Sequence, residues 1–297
     1  MDLTRCRWAL LILAVISAFA VLGMAVLYGQ AVMLQESVGQ KNADADMQRH
    51  LLGMQGNVTG ILNIIDADVT SAASALSTTG LTGAPAQAVL ADLSRANPYV
   101  IDCITVDRNG TILAVEPREY AGVIGEDISG QVHFRRLMTG KVPVMSGLIP
   151  TVEGISAVDI ASPVFSPDGV WTGATTMLID PRALLDAAAA PVMNGTSYTV
   201  WVMQTDGTIL YDQDPAQVGK NLFSDPFYAP HPELQSVGRE IAARESGSGS
   251  YLFLEDTGDT IVRKEVSWAT AGIRGTEWRL VIVRAVPVQA DIAACCM

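Results

Sequence analysis

The chain has 297 residues and a formal net charge of −12 at pH 7. This excess of acidic residues excludes nucleic acid as a partner, because a phosphate backbone needs Lys and Arg side chains to neutralise it. It also argues against docking on an anionic membrane surface. The length allows one large domain or two ordinary domains.

The first element is an unbroken apolar run from Trp8 to Tyr28, preceded by two arginines. Roughly 21 residues form a helix about 31 Å long, which is enough to cross a hydrocarbon core of about 30 Å. The positive-inside rule then predicts a cytoplasmic tip at residues 1–7 and a single-pass cell-membrane protein whose bulk is extracytoplasmic. A cleaved signal peptide, with an Ala-Phe-Ala site at residues 18–20, is the alternative and gives the remainder the same location.

Residues 31–77 predict one long helix that leaves the membrane as a stalk. Apolar residues recur along it at i, i+3 and i+4 spacing, and no proline interrupts it. We expect this stripe to pack on the following domain, on a second copy of the helix, or on both. The stripe consists of Leu51, Met54, Val58, Ile61, Leu62, Ile65, Val69, Ala72, Ala73 and Leu76.

The remainder of the chain repeats one short pattern, at Ile104–Leu113 and again at Val202–Leu210. Each copy is a β-branched run, a polar turn that ends in Gly, and then Thr-Ile-Leu. Asn-Gly and Asp-Gly favour tight hairpin turns, because both central residues can adopt positive φ. Similar sequence follows both copies, so we predict a duplicated α+β fold in which each unit has an antiparallel sheet with flanking helices.

These patterns divide the chain into six segments. Helices are predicted before the first hairpin, at Pro85–Ala96, and between the two copies, at 180–191, whereas Ser246–Gly249 is interpreted as a flexible turn. The segments are the tip at 1–7, the transmembrane helix at 8–28, the stalk at 31–77, a membrane-distal unit at 78–186, a membrane-proximal unit at 187–286 and a tail at 287–297.

Motifs for catalysis, cofactor binding and metal binding are absent from the sequence. The three histidines and four cysteines lack metal-ligand spacing. Asp206, Asp212 and Asp214 cluster around the second hairpin, and we interpret them as solvated turn carboxylates instead of a calcium loop. We therefore expect no catalytic residue, no cofactor and no metal, and a binding module in preference to an enzyme.

The order of these elements resembles the double Cache extracellular sensor domain of prokaryotic chemoreceptors and histidine kinases. The first unit carries the resemblance through GEDISGQVHF at 125–134, GKVPVMS at 140–146 and IASPVFSPDG at 160–169, and the second unit fits more loosely. The resemblance covers roughly residues 31–286. It implies two PAS-like units, with a small ligand held in the membrane-distal unit between one face of its sheet and the covering helix and loops.

In family members that bind amino acids, an Arg and an aromatic pair hold the carboxylate, and a later strand Asp holds the amine. The matching positions are Gln131 for the Arg, His133 and Phe134 for the aromatic pair, and approximately Leu178 for the Asp. Gln and Leu cannot make those charged hydrogen bonds. The resemblance therefore disfavours an α-amino acid as the ligand.

Six residues are candidates for ligand binding, and a small carboxylate is among the candidate ligands because His133 or Arg135 could meet it. Each candidate also has a structural interpretation. His133 could be a packed helix residue, Arg135 a surface residue, Ser146 a turn cap, and Asp159 either a solvent-facing carboxylate or a pocket group. The candidates are Gln131, His133, Phe134, Arg135, Ser146 and Asp159.

We therefore expect a membrane-anchored sensor module. The residues after Val286 are too few to span a bilayer, so we expect no output domain and action through a partner receptor or kinase. A homodimer is also a candidate, because Cys295 and Cys296 could cross-link two chains. The alternative is a structural or cell-envelope protein that uses the duplicated fold for protein contacts. The second unit is richer in Trp and is interpreted as support.

Overall fold

The structure, a computed structural model, describes residues 3–254 and 261–287. It divides into two compact units, Met1–Arg49 and His50–Met297. The first unit is the N-terminal part of helix α1 (Leu3–Thr79). By length and composition, one helix among the described residues could cross a membrane, and the qualifying stretch is Val21–Thr79. The bounds of the membrane span at 8–28 and the cytoplasmic tip at 1–7 stay predictions.

Within the second unit, the predicted stripe of the stalk helix is buried, apart from the half-buried Ile61. Near the end of α1, Ala73 and Leu76 pack with Val164 of the first sheet. The helix stops at Gly80, whose positive φ of 81° lets its N–H bond to the carbonyl of Leu76 at 2.9 Å. Of the predicted packing alternatives, the structure shows packing on the following domain.

The first sheet follows α1 and a short helix, and its strands are antiparallel in the order β2-β1-β6-β5-β3, with β4 beside β5. Runs of consecutive residues are buried in its long strands, so both faces of the sheet are covered. The elements are α2 (Gly83–Ser94), β1 (Val100–Asp107), β2 (Ile112–Glu116), α3 (Val132–Gly140), β3 (Val144–Met145), β4 (Ile149–Pro150), β5 (Ser156–Phe165) and β6 (Trp171–Ile179).

The second sheet has the order β8-β7-β11-β10-β9, which repeats the topology of the first. The predicted α+β duplication is therefore confirmed. Its elements are α4 (Pro181–Met193), β7 (Tyr198–Gln204), β8 (Ile209–Tyr211), α5 (Pro232–Ala243), β9 (Ser246–Leu254), β10 (Ile261–Ile273) and β11 (Thr276–Pro287).

The two predicted hairpins are confirmed down to single hydrogen bonds. Gly110 and Gly207 turn the hairpins with φ of 99° and 93°, a region that favours glycine. The carbonyl of Gly110 accepts from the N–H of Ile128, and that of Gly207 accepts from the N–H of Leu222, both at 2.9 Å. The repeated sequence therefore serves as scaffold, since it fixes the next loop against each hairpin.

The prediction of a flexible turn at Ser246–Gly249 is wrong, because these residues form the start of strand β9. A Cβ at Gly247 would lie 2.3 Å from the ring of Trp268 on the neighbouring strand. The absence of a side chain at Gly247 therefore makes room for the indole ring of Trp268, and the glycine does not mark a turn.

Both sheets bury their own hydrophobic cores. Trp268 and Trp278 are buried, whereas Trp171 is half-buried at the edge of the first core. Cys103 is a buried free cysteine and packs as a small apolar residue. Cys295 and Cys296 lie outside the described residues, and their role stays a prediction.

Candidate ligand-binding site

A small cavity lies on the face of the first sheet that α3 and the turn between β4 and β5 cover. Its volume is about 20 Å³, which is room for roughly one water molecule. Six aliphatic and six polar side chains line it, and no Lys or Arg of the described residues does. The polar lining residues are Asp102, Gln131, Thr151, Glu153, Asp159 and Thr176.

Two of these carboxylates are placed by strand register. Asp102 on β1 and Asp159 on β5 are both paired with Leu178 on the strand between them. Side chains in lateral register point to the same face of a sheet, and alternate strands lie about 10 Å apart. The two carboxyl groups therefore approach the cavity from either side of Leu178.

Asp102 is buried, with 1 % of its surface exposed. Burial, followed by the charges of Glu153 and Asp159, raises the pKa of its carboxyl from 3.8 to about 8. A hydrogen bond with Glu153 acts in the same direction. Near neutral pH the proton therefore stays on Asp102, because no cationic side chain lines the cavity among the described residues to favour the charged form.

His133 reaches Asp159 from helix α3. Its Nε2 lies 2.8 Å from Oδ2 of Asp159, and both side chains are almost completely buried. The two groups are not aligned as a hydrogen bond, and the other polar atom of each, Nδ1 and Oδ1, has no hydrogen-bond partner in the described part of the chain. Buried polar atoms without partners are costly, so this pair has unused capacity for a further polar group.

Ser146 holds the backbone beside this pair. Its hydroxyl accepts from the N–H of Asp159 at 2.8 Å and donates to the carbonyl of Gly147 at 2.6 Å. Its own N–H donates to the carbonyl of Asp159 at 2.8 Å. Ser146 therefore positions Asp159 through the backbone, in keeping with the predicted turn-capping alternative.

The structure brings only some of the predicted residues together. Gln131 precedes α3 and lines the cavity. Phe134 is fully buried in the hydrophobic core of the first sheet and does not line the cavity. Arg135 is exposed, as its surface interpretation predicts. Asp159 is 2 % exposed, so its solvent-facing alternative is wrong.

Asp102 and Glu153 are not among the site residues predicted from the sequence. Asp102 did carry a signal, because it is a lone acid inside the apolar strand run Val100–Val106, the same pattern that singled out Asp159. Glu153 had no such signal, since it lies in a polar turn and reaches the cavity only through the fold. A search for single acids in apolar strands would have found the first and not the second.

A polar relay starts on the helix that carries His133. Nη2 of Arg136 donates to the carbonyl of Arg274, at 3.1 Å, in the turn between β10 and β11. The guanidinium of Arg274 binds Asp66 of α1 through two hydrogen bonds, of 2.9 and 2.6 Å. Helix α3, the second sheet and α1 are thus joined through one arginine.

Comparison with known proteins shows which domains this chain is similar to. Residues 60–181, which include the whole cavity, match the model of the HK/GC/Chemotaxis protein-like sensor domain. The structure is similar to an extracellular ligand binding receptor from Desulfohalobium retbaense DSM5692, with 33% identity, a TM-score of 0.69 and coverage of 80% of this chain. This chain spans 40% of the length of that receptor chain. No protein with a curated description matches the sequence.

Two chemoreceptor domains share the fold at lower identity. The ligand-binding domain of the Pseudomonas aeruginosa PAO1 amino acid chemoreceptor PctB, in complex with L-Arg, has 15% identity and a TM-score of 0.59 over 86% of this chain and 99% of that chain. That of the Pseudomonas fluorescens chemoreceptor CtaA, in complex with L-serine, has 14% identity and a TM-score of 0.58 over 82% and 98%. The resemblance to double Cache sensors is confirmed.

Proposed function

We propose that this chain, an extracellular sensor domain of the chemoreceptor and histidine kinase type, binds a small organic cation in the cavity of its first sheet. The observation that carries the proposal is the cavity's charge. Asp102, Glu153 and Asp159 converge on it, and no Lys or Arg of the described chain lines it. A primary ammonium group has three N–H donors and would meet a carboxylate on each side.

The same charge argues against a carboxylate ligand, which was among the ligands expected from the sequence. Arg135 and Arg136 are exposed and do not line the cavity. A bound carboxylate would therefore face three acidic side chains without a guanidinium to offset them. His133 could donate one hydrogen bond, but Asp159 already occupies its Nε2 side at 2.8 Å.

Ligand entry requires the cavity to open, since about 20 Å³ is too small for anything beyond a water molecule. We expect the turn Thr151–Gly154 to be the part of the wall that moves. Within this turn, the N–H of Gly154 donates a 3.1 Å hydrogen bond to the carbonyl of Thr151. Glu153 belongs to this turn. An ammonium group that binds Glu153 would hold the turn in its displaced position, so binding selects the open form.

The relay from α3 gives a route for the signal. A ligand that competes for Asp159 would loosen the contact between this side chain and His133 and so shift α3. Arg136 on that helix donates a hydrogen bond to the carbonyl of Arg274, and the guanidinium of Arg274 donates to the carboxylate of Asp66 on α1. The expected consequence is a small displacement of α1 relative to the second sheet.

The finer features of this function remain proposals. Action through a partner receptor or kinase is one of these proposals. Similar proteins are sensor and receptor domains and not enzymes, which supports a non-enzymatic role. The convergent acidic groups favour a ligand-binding sensor over the cell-envelope alternative, which does not require such groups.

The proposal is tested by thermal unfolding of the full chain in detergent with methylammonium, ethanolamine or acetate. We expect the two ammonium ions to raise Tm and acetate to leave it unchanged. The Asp159→Asn variant should lose the shift, whereas Asp168→Asn, an exposed acid of the same unit outside the cavity, should keep it. Stabilisation by acetate, or a methylammonium shift that survives Asp159→Asn, would refute the proposal.

A further inference from the structure

The second sheet carries a larger cavity of its own. It lies between the sheet, helix α5 and the 3₁₀ turn Pro226–Tyr228, and its volume is about 220 Å³. That volume accommodates a small organic molecule, whereas the cavity of the first sheet, at about 20 Å³, does not. A purely structural role for the second unit therefore does not explain this cavity.

Aromatic side chains form much of the wall. Trp201 projects from β7 and Tyr251 from β9, and Tyr228 closes the opposite side from the 3₁₀ turn. All three are buried. Phe227, which is 46% exposed, stands at the mouth, packed edge to face against Tyr228 at 5.1 Å. Faces of aromatic rings attract cations through the ring quadrupole.

Asp212 supplies a negative charge to this wall. It follows β8 directly and is half-buried, so the expectation of a solvated turn carboxylate is wrong for this residue. It remains right for Asp206 and Asp214, which are exposed and accept turn N–H groups. One oxygen of Asp212, Oδ1, accepts from the N–H of Asp214 at 2.8 Å. Burial is the main cause that raises the pKa of the Asp212 carboxyl.

The protein already places a cation of its own on this wall. Nζ of Lys264 lies 3.8 Å from the ring centroid of Phe253, and His231 stacks on the same ring at 4.8 Å. Asp212 and Asp214 outnumber Lys264 among the charged lining residues. The wall is thus suited to positive charge and retains a net negative balance with Lys264 in place.

We infer that this cavity is a second ligand site, specific for a small methylated ammonium ion. Methyl groups on nitrogen spread the positive charge over an apolar surface, which matches a wall lined by Trp201, Tyr228 and Tyr251 better than a hydrated ammonium does. Asp212 then balances the charge at one end. A metal ion fits poorly, since the described residues contain no group of metal-ligating side chains and aromatic walls offer no ligands.

The inference stands independently of the proposed function, because it rests on different residues in a different sheet. The test is calorimetric titration of the full chain in detergent with tetramethylammonium, with choline and with the uncharged carbon isostere of choline. We expect saturable binding of both cations and binding of the isostere that is at least about tenfold weaker.

Variants decide where the cation binds. Asp212→Asn keeps the side-chain shape and should weaken tetramethylammonium binding about tenfold, and Trp201→Leu should do the same through loss of the ring. Glu240→Gln, an exposed acid on α5 outside the cavity, should leave the affinity unchanged. Asp159→Asn tests the cavity of the first sheet as the alternative binding site. Equal binding of the isostere, indifference to Asp212→Asn, loss of binding in Asp159→Asn, or no binding at all would each overturn the inference.

Discussion

The two sheets have the same strand order, but their covered faces differ in room and in the side chains around it. In the first, aliphatic and polar side chains, three of them acidic, enclose about 20 Å³. In the second, a lining rich in aromatic rings encloses about 220 Å³ next to Asp212 and Asp214. The two copies thus share their hairpins but not their cavities. Three carboxyl groups line the first and several aromatic rings the second, so they suit different ammonium ions.

The largest expected effect concerns Phe134, which lies in the hydrophobic core of the first sheet. Phe134→Ala should lower the free energy of unfolding by about 3–5 kcal/mol, because the ring is fully buried in the core. Urea titration of the full chain in detergent measures it, with Val132→Ala, which is 64% exposed, as the control with little change. A loss of methylammonium binding at unchanged stability would instead make Phe134 a ligand residue.

Asp102 gives a pH-dependent effect in the first sheet. In the folded chain the pKa of the Asp102 carboxyl, about 8, lies above its ordinary value of 3.8, so the folded chain binds the extra proton and wild-type stability falls as pH rises between these values. Asp102→Asn should therefore gain stability relative to wild type over that range, by on the order of 3 kcal/mol, and no further above it. Urea titrations from about pH 4 to pH 9 measure it.

The control variant for these urea titrations is Asp168→Asn, which changes an exposed carboxylate of the same unit. Its stability should follow that of wild type at every pH. A difference between Asp102→Asn and wild type that stays constant with pH would mean that Asp102 ionises normally in the folded chain.

The smallest effect is expected at Arg274, which joins the second sheet to α1 through Asp66. Arg274→Ala removes the ion pair with Asp66, but the arginine side chain is 40% exposed, so the loss of stability should be about 1 kcal/mol or less. The informative measurement is hydrogen exchange in α1 around Asp66 with and without methylammonium. We expect a ligand-dependent change in wild type and in Arg263→Ala, an exposed arginine on β10, and none in Arg274→Ala.

Survival of the ligand response in Arg274→Ala would show that the first sheet reaches α1 by another route. The direct packing of Val164 against Ala73 and Leu76 would then be the alternative connection.

Local patterns explain what could be predicted. The stalk stripe follows from helical spacing, and the hairpins follow from Asn-Gly and Asp-Gly turns, which depend on neighbours in sequence. Asp159 stood out as a lone acid in an apolar strand, and Asp102 carried the same signal. The resemblance to double Cache sensors came from the order of several degenerate motifs.

The remainder depends on contacts between distant segments. Gly247 looks like a turn residue until Trp268 is placed above it, and Glu153 meets Asp102 only when the turn Thr151–Gly154 folds over the sheet. The aromatic cavity combines Trp201, Tyr228 and Tyr251 from three separate segments. No sequence spacing relates these positions, because the fold and not local periodicity brings them together.

The central claim is that acidic groups of the first sheet bind an ammonium ion, and proton release tests it most directly. Calorimetric titration of the full chain with methylammonium, in buffers of different ionisation enthalpy, counts the protons exchanged on binding. We predict release of protons near neutral pH as Asp102 ionises, affinity that increases up to about pH 8, and binding at least about tenfold weaker in Asp159→Asn. Binding without proton release, at an affinity independent of pH and of Asp159, would contradict the account.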